Sequence, residues 1–165
     1  MSVKNFLYQV QKNIEDDKNL ELKGEFYERK NILDLKILVC LDVSGSISQE
    51  TFSSFMKTVD LIKGVSVIKI LETDTDVTAL YNYSGSQKIA RLAGSGGTDF
   101  YEAFELAKEL NPSVILFMTD GVVFDTVVED PGIPTGWVLS ADSPLSETPP
   151  YGFGQIVQKL LPNQD

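Results

Sequence analysis

Lys36-Ile37-Leu38-Val39-Cys40-Leu41-Asp42-Val43-Ser44-Gly45-Ser46 is the stretch that decides the fold. Ile37 to Leu41 is an unbroken, partly β-branched apolar run, the mark of a strand covered on both faces in a parallel sheet. It ends at Asp42 and passes into a polar loop. Beyond the loop, Ser48 is placed to cap a helix whose apolar face is Phe52, Phe55, Met56, Val59 and Ile62, and Gly64 is placed to stop it. A buried strand, a polar loop and a crossover helix form the opening unit of an α/β domain.

Working outward, Val65 to Leu71 and Val77 to Tyr83 read as two further strands joined by the acidic turn Glu72-Thr73-Asp74-Thr75-Asp76. That connection suits a hairpin and is too short for a parallel crossover, so the third strand is expected to be antiparallel at the sheet edge. Asp74 and Asp76 read as turn residues. After Gly94-Ser95-Gly96-Gly97-Thr98, Asp99 and Glu102 resemble a capping box for a helix carrying Phe100, Ala103, Phe104, Ala107 and Leu110, closed by Asn111-Pro112. Val114 to Met118 gives a fourth strand ending at Thr119-Asp120-Gly121, and Trp137-Val138-Leu139 a fifth. The passage Val122 to Ile133 leaves room for a helix of one or two turns or none. The predicted strand order is third, second, first, fourth, fifth. Phe6, Leu7, Val10 and Ile14 predict a helix over 3–14, and Phe153, Ile156, Val157 and Leu160 a short amphipathic helix at the end. Leu20 to Leu33, with Phe26 and Tyr27, reads as an irregular wrap or weak strand.

Composition limits the chemistry. The chain has 165 residues, 42% apolar and 23% charged, which fits one globular domain with its own core. Its formal charge of −10 opposes the basic footprint of nucleic-acid binding, so neither nucleic acid nor an anionic membrane is expected as a partner. With no histidine, no Ser-His-Asp triad, Cys-His pair or HExxH zinc site can be built. The single cysteine, Cys40, lies inside the apolar run and reads as a buried hydrophobe. The N-terminus lacks a signal-peptide layout and no apolar run nears the ~18 residues of a membrane span, so a cytoplasmic protein is expected.

Three polar loops should converge at the carboxyl edge of the sheet, where open α/β folds gather ligands. They carry Asp42, Ser44 and Ser46, then Thr98, then Asp120. In an extended segment alternate side chains point one way, so Asp42, Ser44 and Ser46 can face one point, with Gly45 allowing a tight turn. Carboxylates and hydroxyls without nitrogen or sulfur suit a hard cation, Mg²⁺, Mn²⁺ or Ca²⁺. Neutral hydroxyls leave such a cation short of negative charge and ready for an external anion. The competing structural reading makes Asp42 and Asp120 turn caps and 44–48 an ordinary loop. A phosphate cradle at 94–97 is disfavoured by acidic surroundings and the missing P-loop lysine.

Asp42-Val43-Ser44-Gly45-Ser46, Gly97-Thr98-Asp99 and Thr119-Asp120-Gly121 resemble, in chain order, the metal-ion-dependent adhesion site of von Willebrand factor A domains. The resemblance covers roughly 35–161, with 1–34 as a helix and wrap of the same domain and 35–165 as the A-like domain proper. More narrowly, Gly136-Trp137-Val138-Leu139 and Pro150-Tyr151-Gly152-Phe153-Gly154 resemble a prokaryotic A-like family found at the C-terminus of longer proteins named as metallopeptidases. It implies a three-layer, Rossmann-like α/β fold with one antiparallel edge strand. It also implies that Ser44, Ser46 and Thr98 coordinate Mg²⁺ directly or through water while Asp42 and Asp120 supply charge. The sixth position is left for a Glu or Asp of a protein partner.

The leading functional expectation is a cation-dependent interaction module without enzymatic activity, the peptidase portion being absent from this chain. The alternatives are a metal-dependent hydrolase or phosphoryl-transfer enzyme, and an accessory subunit of a ring-ATPase assembly. A receiver-type phosphoacceptor would want a lysine where Ser140-Ala141-Asp142 stands, and a haloacid-dehalogenase-like phosphatase an aspartate where Ser44 stands. The chain carries no nucleotide motif of its own.

Overall fold

The computed structural model describes residues 1–21, 35–64, 67–85, 97–124 and 126–162. Helix α1 spans Val3–Glu21, strand β1 Lys36–Asp42, α2 Gln49–Asp60, β2 Val67–Thr73 and β3 Val77–Tyr83. They are followed by α3 Tyr101–Leu110, β4 Val114–Thr119, β5 Thr135–Leu139, a 3₁₀ turn at Pro150–Gly152 and β6 Gln155–Lys159. The six strands form one sheet in the order β3-β2-β1-β4-β5-β6. Only the β2–β3 pair is antiparallel. The order expected for the first five strands, with the third antiparallel, is the order found.

Strand alternation divides the core into two layers. Ile37, Val39 and Leu41 of β1 and Val114, Leu116 and Met118 of β4 face α1 and α2, among Phe6, Leu7, Phe52, Phe55 and Val59. Leu38, Cys40, Ile115, Phe117, Trp137 and Leu139 face α3 and pack on Phe100, Phe104 and Phe153. Aromatic rings dominate this second layer, with Phe100 and Phe117 centroids 4.3 Å apart and Phe117 and Trp137 stacked at 5.0 Å. Trp137 Nε1 donates to the Phe153 carbonyl at 2.9 Å, which supplies the partner a buried indole requires. Cys40 is buried as expected, and burial raises its thiol pKa.

Four details depart from the sequence reading. The end of the chain forms strand β6 beside β5 rather than an amphipathic helix, with Trp137 paired to Ile156 and Val138 to Gln158. Gly152 and Gly154, both at φ 78, turn the chain onto the open edge of β5, and pairing there outweighs the helical spacing of Ile156, Val157 and Leu160. Helix α1 continues past residue 14 to Glu21, because Lys18, Leu20 and Glu21 favour helix without extending the apolar stripe. No capping box opens α3: Glu102 Oε2 instead accepts from Val77 N at 2.9 Å, and Asp99 Oδ1 accepts from Tyr101 N at 3.0 Å. Strand β2 runs two residues beyond the expected Leu71. The Ser48 cap of α2 is present, its hydroxyl accepting from Thr51 N at 3.1 Å. The passage after β4 has no helix among its described residues. The wrap at Phe26-Tyr27, the strand start at Val65 and Gly94-Ser95-Gly96 lie outside the described residues. Among the described residues no helix is long and apolar enough to cross a membrane.

Helix α1 reaches the sheet by crossing Gly136, where an added Cβ would stand 2.6 Å from Phe6 Cε1 and 2.7 Å from Val157 Cγ2. Both neighbours are buried and cannot swing away. Gly136→Ala is therefore expected to lower stability by about 1–3 kcal/mol, read as a fall in the denaturant midpoint. An unchanged midpoint would show that α1 is not seated on β5 as described.

Candidate metal centre

Strands β1 and β4 are parallel neighbours in register, Leu41 beside Met118, so their carboxyl ends deliver Asp42 and the Thr119-Asp120 pair to one place. By alternation from Cys40, Asp42 projects toward the α3 layer and its aromatic rings. Its carboxylate is gripped on both oxygens. Oδ1 accepts from Ser44 N at 2.9 Å and Oδ2 from Thr119 Oγ1 at 2.6 Å. Thr119 Oγ1 in turn accepts from Gly121 N at 3.0 Å, so one buried hydroxyl links both strand ends. Gly121 sits at φ 79, and it turns the chain immediately after Asp120.

The loop after β1 is anchored by apolar residues on either side of its serines. Val43 and Ile47 are buried in the α2-side core, Val43 N donates to Thr73 O at 2.9 Å, and Ile47 N closes a turn onto Ser44 O at 3.1 Å. Between these anchors, Ser44 Oγ and Ser46 Oγ lie 3.2 Å apart. Adjacent oxygens of an octahedron with ~2.1 Å bonds stand about 3.0 Å apart, so this pair fits one edge of a Mg²⁺ or Mn²⁺ shell. Ser44 is buried and Ser46 exposed, so the pair runs from the interior to the surface. Asp120 is buried, and its Oδ1 accepts from Val122 N at 3.0 Å. Thr98 is buried on the neighbouring loop, tied in by Phe124 N donating to Thr98 O and by Asp99 N donating to Asp74 O. Asp74, as expected of a turn residue, accepts from Asp76 N at 3.1 Å.

Asp42, Ser44 and Ser46 are thus brought together beside Asp120, with Thr98 on an adjoining loop. Among the described residues no three or more Asp, Glu, His or Cys side chains group around one point. Hydroxyls make up the rest of the donor set, which keeps it suited to a hard cation that retains water or takes an outside anion. Two residues of the centre were not expected from sequence. Thr119 grips Asp42; it stands in the Thr119-Asp120-Gly121 motif, but nothing local in the sequence marks its hydroxyl as the partner of Asp42. Tyr151, at φ 59, accepts from Phe100 N at 3.1 Å through its hydroxyl. Burial, with the Asp99 and Asp42 charges, pushes its phenol up to about 12, so it stays protonated.

These contacts define a three-layer domain of the von Willebrand factor A type, with hydroxyl-bearing and acidic loops at the carboxyl edge of its sheet. The chain belongs to the family described as VWA-like domain (DUF2201), whose model matches residues 37–159. No curated protein matches the sequence. Similar solved structures include an aerotolerance-related membrane protein from Bacteroides fragilis NCTC 9343, at 16% identity over 66% of this chain and 69% of that one, TM-score 0.46. The conserved hypothetical protein BatB from Bacteroides thetaiotaomicron is 16% identical over 65% and 67%, TM-score 0.47. The ArnB paralog VWA2 from Sulfolobus acidocaldarius is 15% identical over 69% of this chain and 37% of that one, TM-score 0.47.

Burial raises the Asp42 pKa from an ordinary 3.8 to about 6; hydrogen bonds from Ser44 and Thr119 pull it back, and the Asp120 charge adds to the rise. The folded chain therefore holds a proton that the unfolded chain has released between about pH 4 and 6. Without metal, stability should increase as pH falls from about 7 to about 4, with this group contributing about 3 kcal/mol. Urea unfolding in EDTA across that range checks it, and Asp42→Asn should remove most of that pH dependence. Thr119→Val leaves Asp42 Oδ2 and Gly121 N without their partner and should cost about 2–4 kcal/mol in the same measurement.

Proposed function

We propose that this chain is a divalent-cation-dependent protein-interaction module. Asp42, Ser44, Ser46, Thr98 and Asp120 hold Mg²⁺, with Mn²⁺ or Ca²⁺ as substitutes, and a Glu or Asp of a protein partner completes the shell. The observation that carries this reading is the Ser44–Ser46 hydroxyl pair, 3.2 Å apart, beside a buried carboxylate gripped on both oxygens. The cation supplies concentrated positive charge that a partner carboxylate can neutralise. The chain's own residues orient the donors and shield the cluster on its α3 side. With a formal charge of −10, the surface repels an acidic partner at a distance, and a short-range cation contact rewards one well-placed carboxylate.

Binding rather than turnover is the reading favoured by the chemistry of the loops. The histidine-free chain offers no imidazole base to activate Ser44 or Ser46, and Asp42 is engaged by its own loop and by Thr119.

Titrating the chain with Mg²⁺, Mn²⁺ and Ca²⁺ while following thermal unfolding tests the cation. At a hundredfold excess over Kd the stabilisation should reach about 2.7 kcal/mol. Asp42→Asn should abolish it, and Ser44→Ala and Thr98→Ala should weaken it with the fold intact, by circular dichroism. An unfolding curve unmoved by all three cations would overturn the reading.

A further inference from the structure

The rim of this centre carries exposed carbon that the fold does not use. Val122 and Phe124, directly after Asp120, are 56% and 57% exposed, and Tyr101, on the first turn of α3, is 51% exposed. Soluble surfaces seldom gather large apolar side chains beside a polar cleft unless something covers them. These are also held in place. Val122 N donates to Asp120 Oδ1 at 3.0 Å and Phe124 N to Thr98 O at 2.9 Å, so each is pinned to a residue of the centre. The Phe124 ring lies against Gly97, where a Cβ would stand 1.9 Å from Cε2, so only glycine leaves room for it. Asp99 joins the two sides, its Oδ1 accepting from Tyr101 N and its Oδ2 from Thr126 Oγ1 at 2.8 Å.

We infer that Val122 and Phe124 form the apolar half of the partner surface, so that the ligand is a peptide segment in which one Asp or Glu stands beside an aromatic or branched aliphatic side chain. This rests on the cation-dependent reading above. Charge selects the occupant: with −10 on the chain, a segment with several carboxylates is repelled, whereas one carboxylate at the cation with apolar neighbours gains at both points. A large exposed ring on a backbone tied to Thr98 makes Phe124 the expected anchor.

The test selects phage-displayed random peptides on the immobilised chain in Mg²⁺ and elutes them with EDTA. The enriched sequences should place Asp or Glu within two residues of an aromatic or branched aliphatic side chain. A synthetic peptide of that consensus should bind Phe124→Ser about tenfold or more weakly than wild type by fluorescence polarisation. The Mg²⁺-induced rise in unfolding temperature should be the same in both proteins, which shows that the variant is folded and its cation site intact. Asp42→Asn should lose both signals. Acidic sequences without apolar neighbours, or equal binding by Phe124→Ser, would overturn this inference and leave the cation reading standing. If EDTA releases no enriched peptide, this inference fails, and the cation reading fails with it only where Mg²⁺ also leaves the unfolding temperature unmoved.

Discussion

A buried carboxylate is the constraint on which the rest of the centre depends. Asp42 ends the central strand above a layer of aromatic rings, where an ionised carboxylate is costly unless each oxygen finds a donor. The Ser44 amide and the Thr119 hydroxyl are those donors, and both demand particular geometry. The first fixes the turn after β1, which sets where Ser44 and Ser46 stand. The second fixes β4 against β1 at its end, which sets where Asp120 stands. One local electrostatic requirement thus arranges the donors of two loops. The Asp120 charge beside Asp42 adds to the cost of ionising it, a cost that the proposed cation would relieve.

Charge and apolar surface divide the work at this edge. The buried part of the cluster is polar, its carboxylates accepting from backbone amides of their own loops. The outer part, at Val122 and Phe124, is carbon presented on a backbone tied to those same donors. Polar recognition without an apolar margin would be weakened by water competing at the cleft, and apolar contact without the polar centre would discriminate little. Both are placed on one sheet edge because parallel strands send all their outgoing loops to the same side.

The parallel core was legible because Ile37 to Leu41 and Val114 to Met118 are apolar at consecutive positions, a pattern that only a doubly covered strand requires. The hairpin was legible from the length of its turn. The candidate centre was legible because polar residues follow those runs immediately, so strand ends and donors share the same few positions. What escaped was decided by distant partners. Ile156, Val157 and Leu160 have helical spacing, and only the free edge of β5 makes a strand of them. Glu102 looks like a cap until Val77 N, across the layer, claims its carboxylate. Thr119 looks like any β-branched strand residue until its hydroxyl is seen against Asp42. Interactions between residues far apart in sequence leave no local pattern to read.

The β1–β4 pairing also bears on the order in which the polypeptide is made. Asp42 and the threonine that grips it are 77 positions apart, and β2, β3 and α3 all emerge between them. During synthesis β1 can pair with β2 at once, but its other edge stays open until Val114–Thr119 leaves the ribosome. Until then the most apolar strand of the nascent chain exposes a row of unpaired amides and carbonyls, a template for wrong association. The cluster around Asp42 cannot be assembled in that interval, since Thr119 and Asp120 have not been translated. The two residues that grip and flank Asp42 therefore join it only after β2, β3 and α3 have been made.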